Sequence, residues 1–178
     1  MTRRGAGFHI RDAEEGDRDV IRDATLSAFQ EYAARIPAHW EGYRERILAT
    51  LSNVKPAEQI VAEQNGAVVG TILLYPAGAV FSSPARPSVT LAWPEARLLA
   101  VAPAARGQGI GAALVHECIR RARRSGAAAL TLHTTDMMYV AMGMYERIGF
   151  VRAPELDFHP SQDLTVKGYR FNLNRSTA

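Results

Sequence analysis

Between residues 98 and 111 the chain reads Leu98-Leu99-Ala100-Val101-Ala102-Pro103-Ala104-Ala105-Arg106-Gly107-Gln108-Gly109-Ile110-Gly111. An apolar strand leaves through Pro103 into three alternate glycines. The chain then continues through Ile110, Leu114, Cys118, Ile119 and Ala122, spaced as one face of a helix. A helix that starts directly from such a turn presents unpaired backbone N–H groups and the positive end of its dipole to whatever sits there, which favours a phosphate. Arg106 adds a charged donor beside the turn. Glycine used for packing alone at a helix start would cost about 0.5–1 kcal/mol per residue relative to alanine, so a phosphate-bearing ligand is the expected occupant.

Two well-known phosphate loops can be weighed against this segment. A nucleotide-triphosphate loop needs Gly-x-x-x-x-Gly-Lys-Ser/Thr, and no lysine is present here, which excludes an ATPase or kinase of that class. Gly107-x-Gly109-x-x-Ala112 satisfies a loose dinucleotide pattern. However, Pro103 to Arg106 separates strand from turn, and too little chain follows for a full doubly wound domain.

The surrounding sequence predicts an α/β fold with a mixed sheet and one domain over residues 1–178. Phe8 to Arg11 is a first strand. Asp17 caps a helix carrying Val20, Ile21, Ala24, Ala28 and Phe29, and a second helix spans His39 to Leu51 with Trp40, Tyr43, Ile47 and Leu51 inward. Gln59–Glu63 and Val68–Tyr75 are strands joined at Asn65-Gly66, a strong hairpin signal. Residues 78–90, rich in Pro, Ser and Gly, are expected to form a surface loop. A central strand runs from Glu95 to Val101. After the glycine segment come a strand at Ala127–His133, a helix with Met137, Ala141, Met144, Tyr145 and Ile148 closed by Gly149, a strand from Phe150, and a last strand at Thr165–Leu173.

Composition narrows the function classes. One cysteine, Cys118, leaves no intrachain disulfide and no cysteine-cluster metal site, and its place on a helix's apolar face marks it as a small buried hydrophobe. The formal charge of +3 comes with interspersed acidic and basic residues rather than a basic tail, and no basic aromatic groove points to nucleic acid. Apolar runs are too short to cross a membrane, and Arg3 and Arg4 precede a charged stretch instead of a leader core, so a cytoplasmic location is expected. His9, His39, His116, His133 and His159 lie in separate elements without metal-ligand spacing. His133, at a strand end, reads as a structural histidine or an auxiliary base.

Arg106-Gly107-Gln108-Gly109-Ile110-Gly111, with Val101-x-Pro103 before it, resembles the pyrophosphate-binding motif of the GCN5-related N-acetyltransferase (GNAT) family. Met144-Tyr145-Glu146-Arg147-Ile148-Gly149-Phe150 resembles the family's second signature, at the customary distance. The resemblance covers nearly the whole chain and implies the GNAT fold, a mixed and mostly antiparallel sheet flanked by helices. It also implies acetyl-coenzyme A as acyl donor, no metal, and transfer of an acetyl or short acyl group to a primary amine. Carried onto this chain, the backbone of Leu99, Ala100 and Val101 would hold the pantetheine arm, and Arg106, Gly107, Gln108, Gly109, Ile110 and Gly111 the pyrophosphate. Tyr145 would be the general acid for the leaving thiolate, and Glu95 the base for the incoming amine, usually through water. Strand parity puts Glu95, Arg97, Leu99 and Val101 on one face. Met138 stands where many relatives carry an asparagine that bonds the coenzyme, a departure that leaves this contact to backbone, water or packing. Trp40, Tyr43, Phe81 and Trp93 are candidates to line the acceptor side, the first two also reading as core. A small-molecule amine, a peptide N-terminus and a protein lysine all fit as acceptor; nucleic acid and membrane partners are not expected. A homodimer accords with family habit. A non-catalytic coenzyme A-binding regulatory protein is the alternative, as is transfer to a hydroxyl.

Overall fold

The computed structural model describes residues 7–83, 86–162 and 164–174; Arg3 and Arg4 lie outside the described residues. Four helices are present among them, α1 (Arg18–Phe29), α2 (Trp40–Ser52), α3 (Ile110–Arg124) and α4 (Tyr139–Ile148). The strands are β1 (Phe8–Asp12), β2 (Glu58–Gln64), β3 (Ala67–Tyr75), β4 (Val80–Ser83), β5 (Arg86–Thr90), β6 (Glu95–Val101), β7 (Ala129–Thr134), β8 (Val151–Arg152), β9 (Phe158–Ser161) and β10 (Leu164–Asn172). Backbone proximity divides the chain into two compact units, Met1–Leu73 with Leu98–Val115, and Leu74–Arg97 with His116–Ala178.

In the first unit the strands follow the order β1-β2-β3-β6. β1 lies antiparallel to β2 with Phe8 opposite Gln64 and Asp12 opposite Ile60. The turn into β3 uses Asn65 and Gly66 at φ 53° and 78°, the two left-handed residues that a tight hairpin needs. Ile21, Phe29, Ile47, Ile60, Val61, Ile72, Ile110 and Leu114 form its buried core. The face of α1 is rotated slightly from the one expected: Ile21, Thr25, Ala28 and Phe29 are buried while Val20 is 47% exposed. Thr25 enters the core because its hydroxyl donates to the Ile21 carbonyl at 2.7 Å, satisfying itself on its own helix. Asp17 precedes α1 but spends its carboxylate elsewhere. It accepts from the Arg11 guanidinium at 2.6 and 3.1 Å and from the Glu14 N–H at 2.8 Å. Trp40 is buried and meets Tyr43 edge-on, and Tyr43 meets Phe29, so these rings build the core.

The second unit carries the order β6-β7-β10-β8, with β9 folded onto β10. β7 runs parallel to β6, pairing Thr131 with Glu95 and Leu132 with Ala96, and antiparallel to β10, pairing His133 with Gly168. The sheet is thus mixed and mostly antiparallel. Leu74, Ala96, Cys118, Ile119, Leu130, Leu132, Phe150 and Tyr169 are buried here, and Cys118 is fully buried and takes no part in a disulfide.

Residues 78–90 are not the loop that their composition predicts. They form a two-stranded sheet of β4 and β5, Val80 opposite Thr90 and Phe81 opposite Val89. Its base is closed by Gly78 N–H to the Leu91 carbonyl at 2.8 Å and Leu91 N–H to the Ala79 carbonyl at 2.9 Å. Proline and serine obscured a short alternation that an edge hairpin tolerates. β9 was also unforeseen; it pairs antiparallel with β10, Ser161 opposite Leu164 and Phe158 opposite Val166. No helix among the described residues is long and apolar enough to cross a membrane.

Candidate active site

The glycine segment folds as its chemistry requires. β6 ends at Val101, residues Pro103–Ala105 make one 3-10 turn, and α3 begins at Ile110. Gly107 and Gly109 take φ 76° and 82°, and a methyl group added to either would meet nothing within 4 Å. These glycines therefore serve backbone conformation rather than packing, and the turn has open space beside it. The seat of α3 is set by Gly70 on β3. A Cβ there would stand 2.9 Å from Ile110 and 3.2 Å from both Leu114 and the Ala100 carbonyl. No spacing rule singled out Gly70, since an isolated glycine in a strand announces close approach only once its neighbour is known.

Around the turn, side chains brace the backbone. Arg106 donates to Glu31 at 2.8 Å, to the Ala28 carbonyl at 3.1 Å and to the Val101 carbonyl at 3.3 Å. The guanidinium thus ties the turn to α1 and to the end of β6, its charge shared with Glu31. Gln108 accepts from the Gln64 side chain at 2.9 Å. Ala102 N–H donates to the Val69 carbonyl at 2.9 Å, holding the exit of β6 against β3.

β6 itself is interrupted. Leu98 has φ 49°, an unusual conformation for a side chain of its size. Period-two alternation presumes an unbroken strand, so the common face expected for Glu95, Arg97, Leu99 and Val101 does not carry across Leu98. The parallel ladder of β6 with β7 pairs Glu95 with Thr131 and Ala96 with Leu132.

Glu95 is 2% exposed and lies between two basic side chains. Its Oε1 is 3.4 Å from Arg97 Nε and its Oε2 is 3.3 Å from His133 Nδ1. Arg97 lies over the Phe81 ring at 4.1 Å and the Tyr75 ring at 6.0 Å, a cation–π arrangement that holds the guanidinium beside the carboxylate. Tyr75 and Phe81 meet edge-on at 4.5 Å, and burial pushes the Tyr75 phenol above its usual range against the opposing effect of Arg97. The β4–β5 hairpin thus contributes Phe81 to this cluster. Trp93 stands apart from it, under Arg170 at 5.6 Å.

His133 reaches Glu95 because of what surrounds it. Its Nε2 lies 2.9 Å from the Leu156 carbonyl, and its ring meets Phe158 at 5.4 Å. Leu156 comes this close because its partner on β10 has no side chain: a Cβ on Gly168 would fall 2.4 Å from Leu156 Cβ and 3.0 Å from the Ala153 carbonyl. Asp157 fastens the same segment by accepting from Gly168 N–H at 2.8 Å and from both terminal nitrogens of Arg152 at 3.0 and 2.8 Å. Those bonds hold its carboxyl below the usual carboxylate range, Arg152 being the main cause.

Tyr145 lies on α4, 7% exposed, with its ring 5.9 Å from Phe150. Gly149 at φ 111° ends the helix, and its N–H and that of Phe150 donate to the Tyr145 carbonyl. Met138 is half-buried at the end of the 3-10 turn before α4 and donates its N–H to the Thr135 carbonyl at 2.9 Å. The Thr134 and Thr135 hydroxyls are buried with no hydrogen-bond partner among the described residues. In the structure, then, Glu95 meets His133 and Arg97, while the Arg106–Gly111 turn is braced by Glu31 and Gln64.

The model of the acetyltransferase (GNAT) family matches residues 20–150. The chain belongs to this family. N-acetyltransferase 8B of Homo sapiens is 39% identical over 54 residues, 30% of this chain and 24% of that protein. The Xenopus tropicalis protein named "Probable N-acetyltransferase camello" is 34% identical over 118 residues, 64% of this chain and 49% of that one. The chain spans about half or less of the length of these curated relatives. Among solved structures, the crystal structure of a GNAT family acetyltransferase from Brucella melitensis in complex with acetyl-CoA is 24% identical with a TM-score of 0.62. That match covers 97% of this chain and 92% of the other. The GNAT fold is therefore shared along nearly the full chain.

Proposed function

We propose that this GNAT protein transfers an acetyl group from acetyl-coenzyme A to a primary amine. The observation that carries the reading is the turn of Gly107 and Gly109. It is left-handed, open on its outer side, and leads into the start of the longest helix among the described residues. Backbone N–H groups there suit a pyrophosphate. Arg106, Gln108, Ile110 and Gly111 complete that cradle, and the backbone of Leu99, Ala100 and Val101 takes the pantetheine arm as an added strand would. Met138 contributes packing in place of an amide side chain.

Transfer needs a neutral amine, a polarised thioester carbonyl and a proton for the departing sulfur. Glu95 accepts the proton of the incoming ammonium. The amine nitrogen attacks the carbonyl carbon, the C–S bond breaks, Tyr145 gives its proton to the departing thiolate, and the second proton that the nitrogen loses on becoming an amide restores the phenol. The names of the curated relatives, both N-acetyltransferases, favour nitrogen as the acceptor atom. A small molecule, a peptide N-terminus or a lysine side chain supplies it.

Calorimetric titration with acetyl-coenzyme A, with NAD as control, tests the donor half. Saturable binding of acetyl-coenzyme A alone is expected, followed in an amine screen by release of free thiol. Binding of NAD instead would mean that the glycine turn holds a dinucleotide.

A further inference from the structure

His133 has an oxygen on each side of its ring. Nε2 is 2.9 Å from the Leu156 carbonyl, and Nδ1 is 3.3 Å from Oε2 of Glu95, with the two side chains 9% and 2% exposed. A carbonyl oxygen only accepts, so the hydrogen of a neutral imidazole belongs on Nε2. Nδ1 is then an acceptor buried beside a carboxylate, and it has no hydrogen-bond partner among the described residues. Two buried acceptors this close are costly unless one of them carries a proton.

We propose that His133 Nδ1 and the Glu95 carboxyl, 3.3 Å apart, hold one proton between them, and that the two residues take up and release this proton as one unit. Filled, the pair is an imidazolium with a carboxylate, or equally an imidazole with a carboxylic acid. Empty, it carries one negative charge, which Arg97 Nε faces at 3.4 Å from Oε1. Among the charged and titratable groups nearby, Asp157 is bound to Arg152, Lys167 on β10 pairs with Asp136, and Tyr75 lies beneath Arg97.

This rests on the acetyl-transfer reading for its purpose. When the acceptor ammonium gives up its proton, the N–H bond breaks and the electron pair stays on nitrogen. The proton enters the pair through Glu95. The amine then attacks, coenzyme A leaves as its thiol, and the proton on the pair returns to solvent, matching the single proton that the net reaction releases. His133 touches neither amine nor thioester, so it is a positioning residue that acts through Glu95. The Leu156 carbonyl is what makes it one, by fixing the tautomer.

Isotope-edited NMR on the full chain tests the pair without any acceptor. The Glu95 carboxyl carbon and the His133 Nδ1 nitrogen, assigned with Glu95→Gln and His133→Asn, are followed through a pH titration. Movement of both signals together is expected; separate transitions would overturn the proposal. Kinetics supplies a second reading with any amine that the screen finds. His133→Asn should keep acetyl-coenzyme A affinity, lose about 10–100-fold in kcat and shift the acid limb of the pH profile. Glu95→Gln with His133→Asn should be no slower than Glu95→Gln alone, because the pair acts as one unit. Multiplying losses would count against it. His133→Gln repeats the test should the asparagine variant fold poorly. A shared titration in a protein that acetylates no amine would keep the proton site and remove the transferase reading. Turnover with separate titrations would do the reverse.

Discussion

Tyr145 and Gly168 show two ways in which single residues bear on this site. Tyr145 sits on α4 with its ring against Phe150, and its proposed task is to protonate a thiolate whose parent thiol titrates near ~8.5. A leaving group that good needs only modest help. Tyr145→Phe is expected to leave acetyl-coenzyme A binding unchanged and to slow thiol release about 10–100-fold, read by calorimetry and a thiol assay on the same preparation. Gly168 acts by absence. A methyl group there would press into Leu156 and the Ala153 carbonyl, an overpacking cost of about 1–3 kcal/mol. Gly168→Ala should lower the unfolding free energy by that amount, read from denaturant titration. It should also displace the Leu156 carbonyl from His133, so that turnover falls more than stability alone explains.

Among the elements, the β6–α3 connection is the proposed donor site. Gly109 sits at φ 82° with nothing within 4 Å of its missing Cβ, so alanine there fits sterically but strains the backbone. The left-handed conformation costs an L-residue about 1–2 kcal/mol, and the new methyl group points into the space beside the turn. Gly109→Ala is expected to lose that much stability in urea unfolding and at least tenfold in acetyl-coenzyme A affinity. An affinity that survived would mean that the pyrophosphate lies elsewhere. α3 also carries its own charge brace. Glu117 accepts from Arg120 and Arg121, and these bonds, Arg120 first, hold its carboxyl down at about 2 against the opposing effect of burial. The native state thus binds this proton only at a lower pH than the unfolded chain does. Its stabilising effect is full above the ordinary value of 4.5 and is lost as pH falls toward about 2. The stability gap between wild type and Glu117→Gln should therefore close over that window when unfolding is followed at a series of pH values.

For the whole molecule, a donor that binds only the folded chain must stabilise it by mass action. At a hundredfold excess over its dissociation constant acetyl-coenzyme A should add about 2.7 kcal/mol, seen as a concentration-dependent rise in melting temperature that NAD does not reproduce. The family match over residues 20–150 and the shared fold make coenzyme binding the property to establish first. An acceptor is sought by a screen, since the relatives' names, "N-acetyltransferase 8B" and "Probable N-acetyltransferase camello", name no acceptor.

Local chemistry made much of this legible in advance. Asn65-Gly66 could hardly be other than a hairpin turn, Gly149 a helix end, and Gly107 with Gly109 a left-handed turn opening α3, because each rests on the φ values that neighbouring residues permit. The strand from Glu95 to Val101 was equally readable from its apolar run. What sequence left open depends on residues far apart in the chain. Leu98 breaks the alternation of β6 although leucine gives no sign of it, residues 78–90 pair as a hairpin despite a loop-like composition, and Gly70 and Gly168 matter only through the side chains that fill their space. Glu95 was a candidate base only through the family resemblance, from its place early on the central strand. That it would lie between Arg97 and His133, with the Leu156 carbonyl fixing the far side of the imidazole, was decided only by tertiary structure, since a contact between residues 38 positions apart has no signature in spacing.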